Sequence, residues 1–273
     1  MTETRLVVSD IDGTLLNSSH EITDKTKKIV KKLDEKGIEV ALASARAPKA
    51  MDYLAHQLAL QTPLVCFNGA LIVQKEQDQL NTLYSLALEQ RDALLLYQTI
   101  RAKFPDVCFN VYSNHHWFVE QEDFWTKQEA AISQVTPEVI SLEKYLKENY
   151  PVHKALCMGA PSEIDRLQLE IESMNITGVA VNKSKDTYLE IVQQQVSKLT
   201  ALRFLTKQRA LSLSNTLAIG DNYNDMPMIQ HAGIGIAMGN SPQEVKQVAD
   251  LVAPANDQNG FYHGINESLR IIS

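Results

Sequence analysis

The sequence predicts an α/β fold: a doubly wound parallel sheet interrupted by an α+β insert. Short apolar runs alternate with amphipathic helical stretches towards both ends of the 273-residue chain, as in a parallel sheet with right-handed crossovers. From about Leu83 to Val192 that alternation gives way to pairs of strands mixed with helices. Two of the apolar runs, one on each side of the insert, stop abruptly in clusters of carboxylates.

The first run, Leu6 to Val8, reads as a buried strand and leads into Asp10-Ile11-Asp12-Gly13-Thr14. If strand geometry persists to the end of the run, residues two apart share a side, so Asp10 and Asp12 face one cleft. Two carboxylates that close repel, unless a cation or a division of labour relieves them. A strand followed by an ordinary Asp-rich turn is the competing reading. Ile22 to Lys36 follows as an amphipathic helix with Ile29, Val30 and Leu33 on one stripe, Thr23 or Asp24 as cap and Gly37 as stop. Ile38 to Ala43 is a second strand. Met51, Leu54, Ala55 and Leu58 repeat at helical spacing, and Leu64 to Phe67 is a third strand.

Within the insert, Leu88 to Lys103 is a helix stopped by Pro105, and Val107 to Tyr112 with Trp117 to Glu120 form a hairpin. Helix over Phe124 to Gln134, strand over Val152 to Met158 and helix over Ile164 to Met174 come next. A second hairpin joins Gly178 to Asn182 and Tyr188 to Val192. The first pattern resumes at Val196, where Ser197 caps a helix with Leu199, Leu202 and Leu205 inward. Leu217 to Ile219 is a strand ending in Gly220-Asp221, and Gly233 to Ala237 is another. Ser241-Pro242-Gln243-Glu244 has the form of a capping box with Pro at the first helical position. Leu251-Val252 and a helix near Gly264 to Ile271 complete the reading.

Composition narrows the partners. Hydrophobic and charged fractions of 44% and 22% are those of a globular protein, and a net charge of −7 argues against nucleic acid as the main partner. No apolar run approaches membrane-spanning length and no signal peptide is evident. The three cysteines, Cys66, Cys108 and Cys157, are odd in number and lack a CxxC, which suggests buried thiols in a reducing compartment. The expectation is a cytoplasmic protein of unspecified oligomeric state, with a small-molecule partner and no membrane.

The second acidic constellation, Gly220-Asp221-Asn222-Tyr223-Asn224-Asp225, lies at a strand end, where ligands of doubly wound sheets bind. A helix cap at Asn224 or Asp225 is the plainer reading, and it is compatible with metal binding. Two acidic loops at one sheet edge repel each other without a cation. All-oxygen ligands, with few protein carboxylates and a substrate phosphate, favour Mg²⁺ over Ca²⁺. Ser44 ends the second strand and, with the backbone N–H groups beside it, can hold phosphate. Lys198 sits in the first turn of its helix, where the dipole disfavours positive charge, so a nearby anion would explain it. His115-His116 lacks a third ligand and reads as a surface turn, and Asn182 to Thr187 reads as a solvated hairpin tip.

Asp10-x-Asp12, Ser44, Lys198 and Gly220-Asp221-x-x-Asn224-Asp225, in this order, resemble the four motifs of the haloacid dehalogenase superfamily of phosphotransferases. The insert resembles the type-IIB cap of its Cof-type phosphatases, also called sugar phosphatases. Phe67-Asn68-Gly69-Ala70 and Ala237-Met238-Gly239-Asn240 look like the same subfamily. The resemblance implies a Rossmann-like core at 1–82 and 193–273 and a cap at 83–192. It implies Mg²⁺-dependent hydrolysis of small phosphomonoesters, sugar phosphates or similar metabolites, through an aspartyl phosphate. By it, Asp10 is nucleophile and metal ligand, and Asp12 is general acid/base with its carbonyl on the metal. Asp221 is the remaining protein ligand, with Asp225 direct or one step removed. Ile11, Ser44, Ala45, Lys198 and Asn224 hold the phosphate. Two positions depart from the family: Ala45 and Leu199 stand where glycine is usual. A phosphomutase of the same superfamily and a non-catalytic metabolite-binding regulator are the alternatives.

Overall fold

The computed structural model describes residues 3–77 and 79–271. Contacts divide the chain into two compact units. One takes in the residues up to Ala45, Met51–Asn81 and those from Ser197 onward; the other is Thr82–Val196 with Arg46–Ala50.

The first unit is built on a five-stranded, wholly parallel sheet in the order Leu251–Val252, Ile234–Ala237, Thr216–Gly220, Leu6–Ser9, Glu39–Leu42. Leu6, Val7 and Val8 are fully buried, as a central parallel strand covered on both faces requires. The helix Asp24–Glu35 buries Thr26, Ile29, Val30 and Leu33, and the Thr23 hydroxyl accepts from the Thr26 N–H as its cap. Ser197 caps the helix Lys198–Gln208 in the same way, through the Thr200 N–H at 3.0 Å. The bulk of Leu199 therefore leaves the helix start intact.

Three expectations are corrected here. The Leu64–Cys66 strand joins the parallel sheet only through an isolated bridge between Ala43 and Val65. Its main partner is the antiparallel strand Leu71–Glu76, which heads a hairpin with Gln79–Ser85 that apolar patterning does not reveal, because most of the latter strand is exposed. The capping box does not form: Pro242 is the N-cap of the helix Gln243–Gln247 and makes no side-chain bond, and the buried Ser241 hydroxyl has no hydrogen-bond partner. The first strand ends at Ser9, and Ile11–Leu15 is a tight turn, so Asp10 and Asp12 are not successive same-side residues of one strand.

The second unit has a six-stranded sheet in the order Val179–Lys185, Tyr188–Gln193, Lys154–Met158, Cys108–Ser113, His116–Val119, Glu138–Val139. All its pairings are antiparallel except the last. Both expected hairpins are present. Alternate strand residues Phe109, Val111, Ala155, Cys157, Leu189 and Ile191 form a core with the inner faces of helices Gln90–Lys103, Leu142–Lys147 and Pro161–Ser173. The His115-His116 pair stands at a hairpin turn, and the His116 Nδ1 lies 2.6 Å from Glu138. All three cysteines are buried and free, and no described helix is long and apolar enough to cross a membrane.

Candidate active site

Parallel register brings the motifs to one edge of the first unit's sheet. Ser9 stands opposite both Leu42 and Ile219, so the chain leaves three neighbouring strands at one level. Asp10 follows the central strand, Ser44 its neighbour on one side and Asp221 its neighbour on the other. This is the carboxyl edge of a parallel sheet, where backbone groups are released from the ladder and side chains converge.

Asp10, Asp221 and Asp225 each offer a carboxylate oxygen, and these atoms lie within 4.8 Å of one another. Lys198, fully buried, is ion-paired with Asp10 and with Asp225, the latter at 2.6 Å. Its place at a helix start is thus explained by carboxylates of the chain itself. The second oxygen of Asp225 accepts from the Asp221 and Asn222 N–H groups, both at 3.0 Å. Asp225 is the N-cap residue of the helix Met226–His231 by position, yet its side chain bonds backward into the loop and not onto the helix. Gly220 is obligatory beside it, since a Cβ there would meet the Asp225 Cγ at 2.4 Å.

The electrostatics are unbalanced. Three carboxylates meet one ammonium, and both burial and mutual repulsion oppose their charge. Burial, reinforced by Asp225 and Asp221 and resisted by Lys198, holds the Asp10 carboxyl well above the usual range. Burial and then Asp225 push Asp221 up to about 6, against the pull of the Thr14 hydroxyl. Burial alone would depress Lys198, but Asp10 and Asp225 outweigh it and hold it above an ordinary lysine. The cluster is short of positive charge, and the oxygen-only donor set suits a hard divalent cation.

Two neutral side chains that sequence patterns do not single out complete the acidic site. The Thr14 hydroxyl donates to the Asp221 Oδ1 at 2.9 Å. The Asn240 amide donates to the Gly13 carbonyl at 2.9 Å and reaches the Asp221 Oδ2 at 3.4 Å, while its oxygen accepts from the Asn256 N–H. Asn240 thereby ties the two acidic loops together. Its place in the Ala237–Asn240 motif was a signal of likeness that carried no role.

The remaining expected residues fall into two groups. Ser44 is buried, its N–H donating to the Val65 carbonyl at 2.9 Å, with Ala45 next to it in the same turn. Ile11 is buried and begins the turn after Asp10. Asn224 is exposed and joins the site's edge through a 3.0 Å bond to Asn68. Asp12 stands outside the carboxylate trio, its side chain nearly half exposed and 3.8 Å from His20. A partly solvated carboxylate beside a buried, ion-paired one gives two acids in different environments, which is what a division between nucleophile and proton carrier asks for.

Comparison with known proteins agrees with this geometry. A family model described as haloacid dehalogenase-like hydrolase matches residues 7–265. A putative phosphatase of Haemophilus influenzae is 31% identical over 258 residues, covering 94% of this chain and 95% of its own. The 5-amino-6-(5-phospho-D-ribitylamino)uracil phosphatase YcsE of Bacillus subtilis is 27% identical, with 96% and 94% covered. The crystal structure of a haloacid dehalogenase-like hydrolase from Bacteroides thetaiotaomicron superposes with a TM-score of 0.87 at 27% identity, covering 97% of this chain and all of that one. With the acidic loops on one sheet edge and an antiparallel-rich cap domain inserted between the third strand and the Lys198 helix, the chain belongs to the haloacid dehalogenase-like hydrolases, as a phosphatase of the Cof type.

Proposed function

We propose that the chain hydrolyses small phosphomonoesters, sugar phosphates or similar metabolites, through an aspartyl phosphate on Asp10 and with Mg²⁺ as cofactor. The carrying observation is the carboxylate trio of buried Asp10 and Asp225 and half-buried Asp221, with Lys198 as its one paired ammonium among the described residues. A phosphomonoester brings negative charge to a site already rich in it, so catalysis there requires a cation. The Asp10 and Asp221 carboxylates and the Asp12 carbonyl would hold the metal. Both Asp225 oxygens are engaged, so Asp225 serves by fixing Lys198 and the Asp221–Asn222 backbone. Mg²⁺, when bound, neutralises charge on the phosphoryl oxygens as they crowd the carboxylates.

In the first half-reaction the Asp10 carboxylate attacks phosphorus, the ester P–O bond breaks, and Asp12 gives its proton to the leaving oxygen. In the second, Asp12 takes a proton from water, the water oxygen attacks phosphorus, and the Asp10–phosphorus bond breaks to release inorganic phosphate. Ser44, Lys198, Asn224 and the N–H groups of Ile11 and Ala45 hold the non-bridging oxygens, which is most of what phosphoryl transfer asks of a protein. The working boundaries are a core at 1–82 and 193–273 and a cap at 83–192.

The relative named for a phosphoribityl substrate supports testing phosphorylated sugars and sugar alcohols first. Release of inorganic phosphate from an aryl phosphate and from such a panel, with Mg²⁺ and with chelator, tests the reading. Turnover should need the metal and should vanish in Asp10→Asn. Full activity in chelator would sink the metal assignment, and transfer to a second sugar without phosphate release would point to a mutase.

A further inference from the structure

The loop Phe67–Asn68–Gly69 has no task in the mechanism, yet it contacts three of its parts. All three residues are left-handed, with φ of 50°, 57° and 106°. Gly69 has no substitute, because a Cβ would lie 2.5 Å from the Ser197 carbonyl, at the cap of the Lys198 helix. The Asn68 N–H donates to the Ser44 carbonyl at 2.8 Å. Its side-chain oxygen accepts from the Asn224 amide nitrogen at 3.0 Å. The loop is therefore wedged between the second-strand end and the Lys198 helix, and its one reaching side chain meets the fourth motif.

We infer that Asn68 is a positioning residue that orients the Asn224 amide for the phosphate, an inference that rests on the phosphatase reading above. The two ends of an Asn side chain are alike in shape and opposite in charge. Asn224 is exposed, so nothing about its packing decides which end faces an incoming oxyanion. In the structure the Asn68 oxygen takes the Asn224 nitrogen, which leaves the second N–H of that amide for a phosphate oxygen and turns its repelling carbonyl end away. Asn suits position 68 twice over. It tolerates the left-handed backbone, and it supplies a neutral acceptor where aspartate would add another negative charge to the site.

Glycine also accepts the left-handed backbone, so Asn68→Gly removes the side chain without straining the loop. The variant should melt like the parent and bind phosphate about fivefold more weakly, the loss of roughly one neutral hydrogen bond. KM for an aryl phosphate and product inhibition by phosphate should move together, with kcat little changed. Titration of inorganic phosphate into the full chain with Mg²⁺ reads the same affinity without turnover. In an Asn224→Ala background, Asn68→Gly should have no further effect. Unchanged phosphate affinity in Asn68→Gly, or an equal loss in both backgrounds, overturns the inference. A parent chain that binds phosphate but hydrolyses no ester refutes the phosphatase reading instead, and leaves the titration to decide on Asn68.

Discussion

Lys198 shows how much one side chain carries. It is fully buried, placed where a helix dipole disfavours it, and bonded to two carboxylates from loops 27 and 188 residues away. Lys198→Met should leave the buried Asp10 and Asp225 without their counter-charge, costing about 3–5 kcal/mol. A divalent cation should restore part of that stability, so thermal melts with and without Mg²⁺ should differ more for the variant than for the parent. Asp12 invites the opposite experiment, since it is half exposed and outside the cluster. An aryl ester has a stable leaving group and scarcely needs a proton, whereas a sugar phosphate does. Asp12→Asn should therefore form aspartyl phosphate from the aryl ester and then stall, with turnover down roughly 10²–10⁴-fold. Rapid mixing should show a burst of phenolate near one equivalent and slow phosphate release; parental rates on both esters would make Asp12 a mere turn residue. The charged residues were legible in the sequence because order and spacing mark them. Thr14 and Asn240 were not, since their meaning lies in bonds to residues 207 and 227 positions away, which no local pattern encodes.

At the scale of elements, most strands and helices followed from apolar runs and helical stripes, as did the parallel sheet and the two hairpins of the insert, while the pairing of Leu64–Cys66 did not. Leu64–Cys66 reads as a third parallel strand because its run is continuous and buried, yet it turns to pair with Leu71–Glu76. Periodicity reports burial, and burial is the same on either side of that choice. Turns are the other element where local signals mislead or suffice. Ser241-Pro242-Gln243-Glu244 has capping chemistry that the backbone does not use, whereas Gly13 is required as expected of a tight turn. It stands at φ +79°, and a Cβ there would meet the Asp221 Oδ2 at 2.5 Å. Gly13→Ala should cost about 1–2 kcal/mol for its left-handed backbone alone. Its effect on function should be larger than that suggests, because the methyl displaces the Asp221 carboxylate, a proposed metal ligand. The half-saturating Mg²⁺ concentration should rise at least tenfold while the far-ultraviolet spectrum is unchanged; a parental Mg²⁺ response would show that Asp221 is free to move.

The chain forms two compact units, each with buried apolar side chains of its own, so its stability should have two handles that act on different transitions. The proposed metal is one: a ligand of the native acidic site alone should raise the melting of the unit that holds Asp10 and Asp221. Protons are the other, through His153 of the second unit. Its Nδ1 accepts the Asn114 N–H at 3.0 Å, which places its own proton on Nε2, 2.9 Å from the Ser85 hydroxyl. The ring is fully buried, and burial lowers its pKa from 6.5 to about 4. Between those values the unfolded chain binds a proton that the folded unit refuses, so stability rises with pH across the window and is lost as pH falls through it. The loss should reach about 2 kcal/mol by pH 5, shifting that transition by on the order of 10 °C. Calorimetry at pH 7 and pH 5, with chelator and with Mg²⁺, should therefore resolve two transitions. Metal should move one of them, and acid should lower the other. His153→Gln removes the titrating ring, so if the second transition in that variant falls between pH 7 and pH 5 as steeply as in the parent, the acid sensitivity lies elsewhere in the unit.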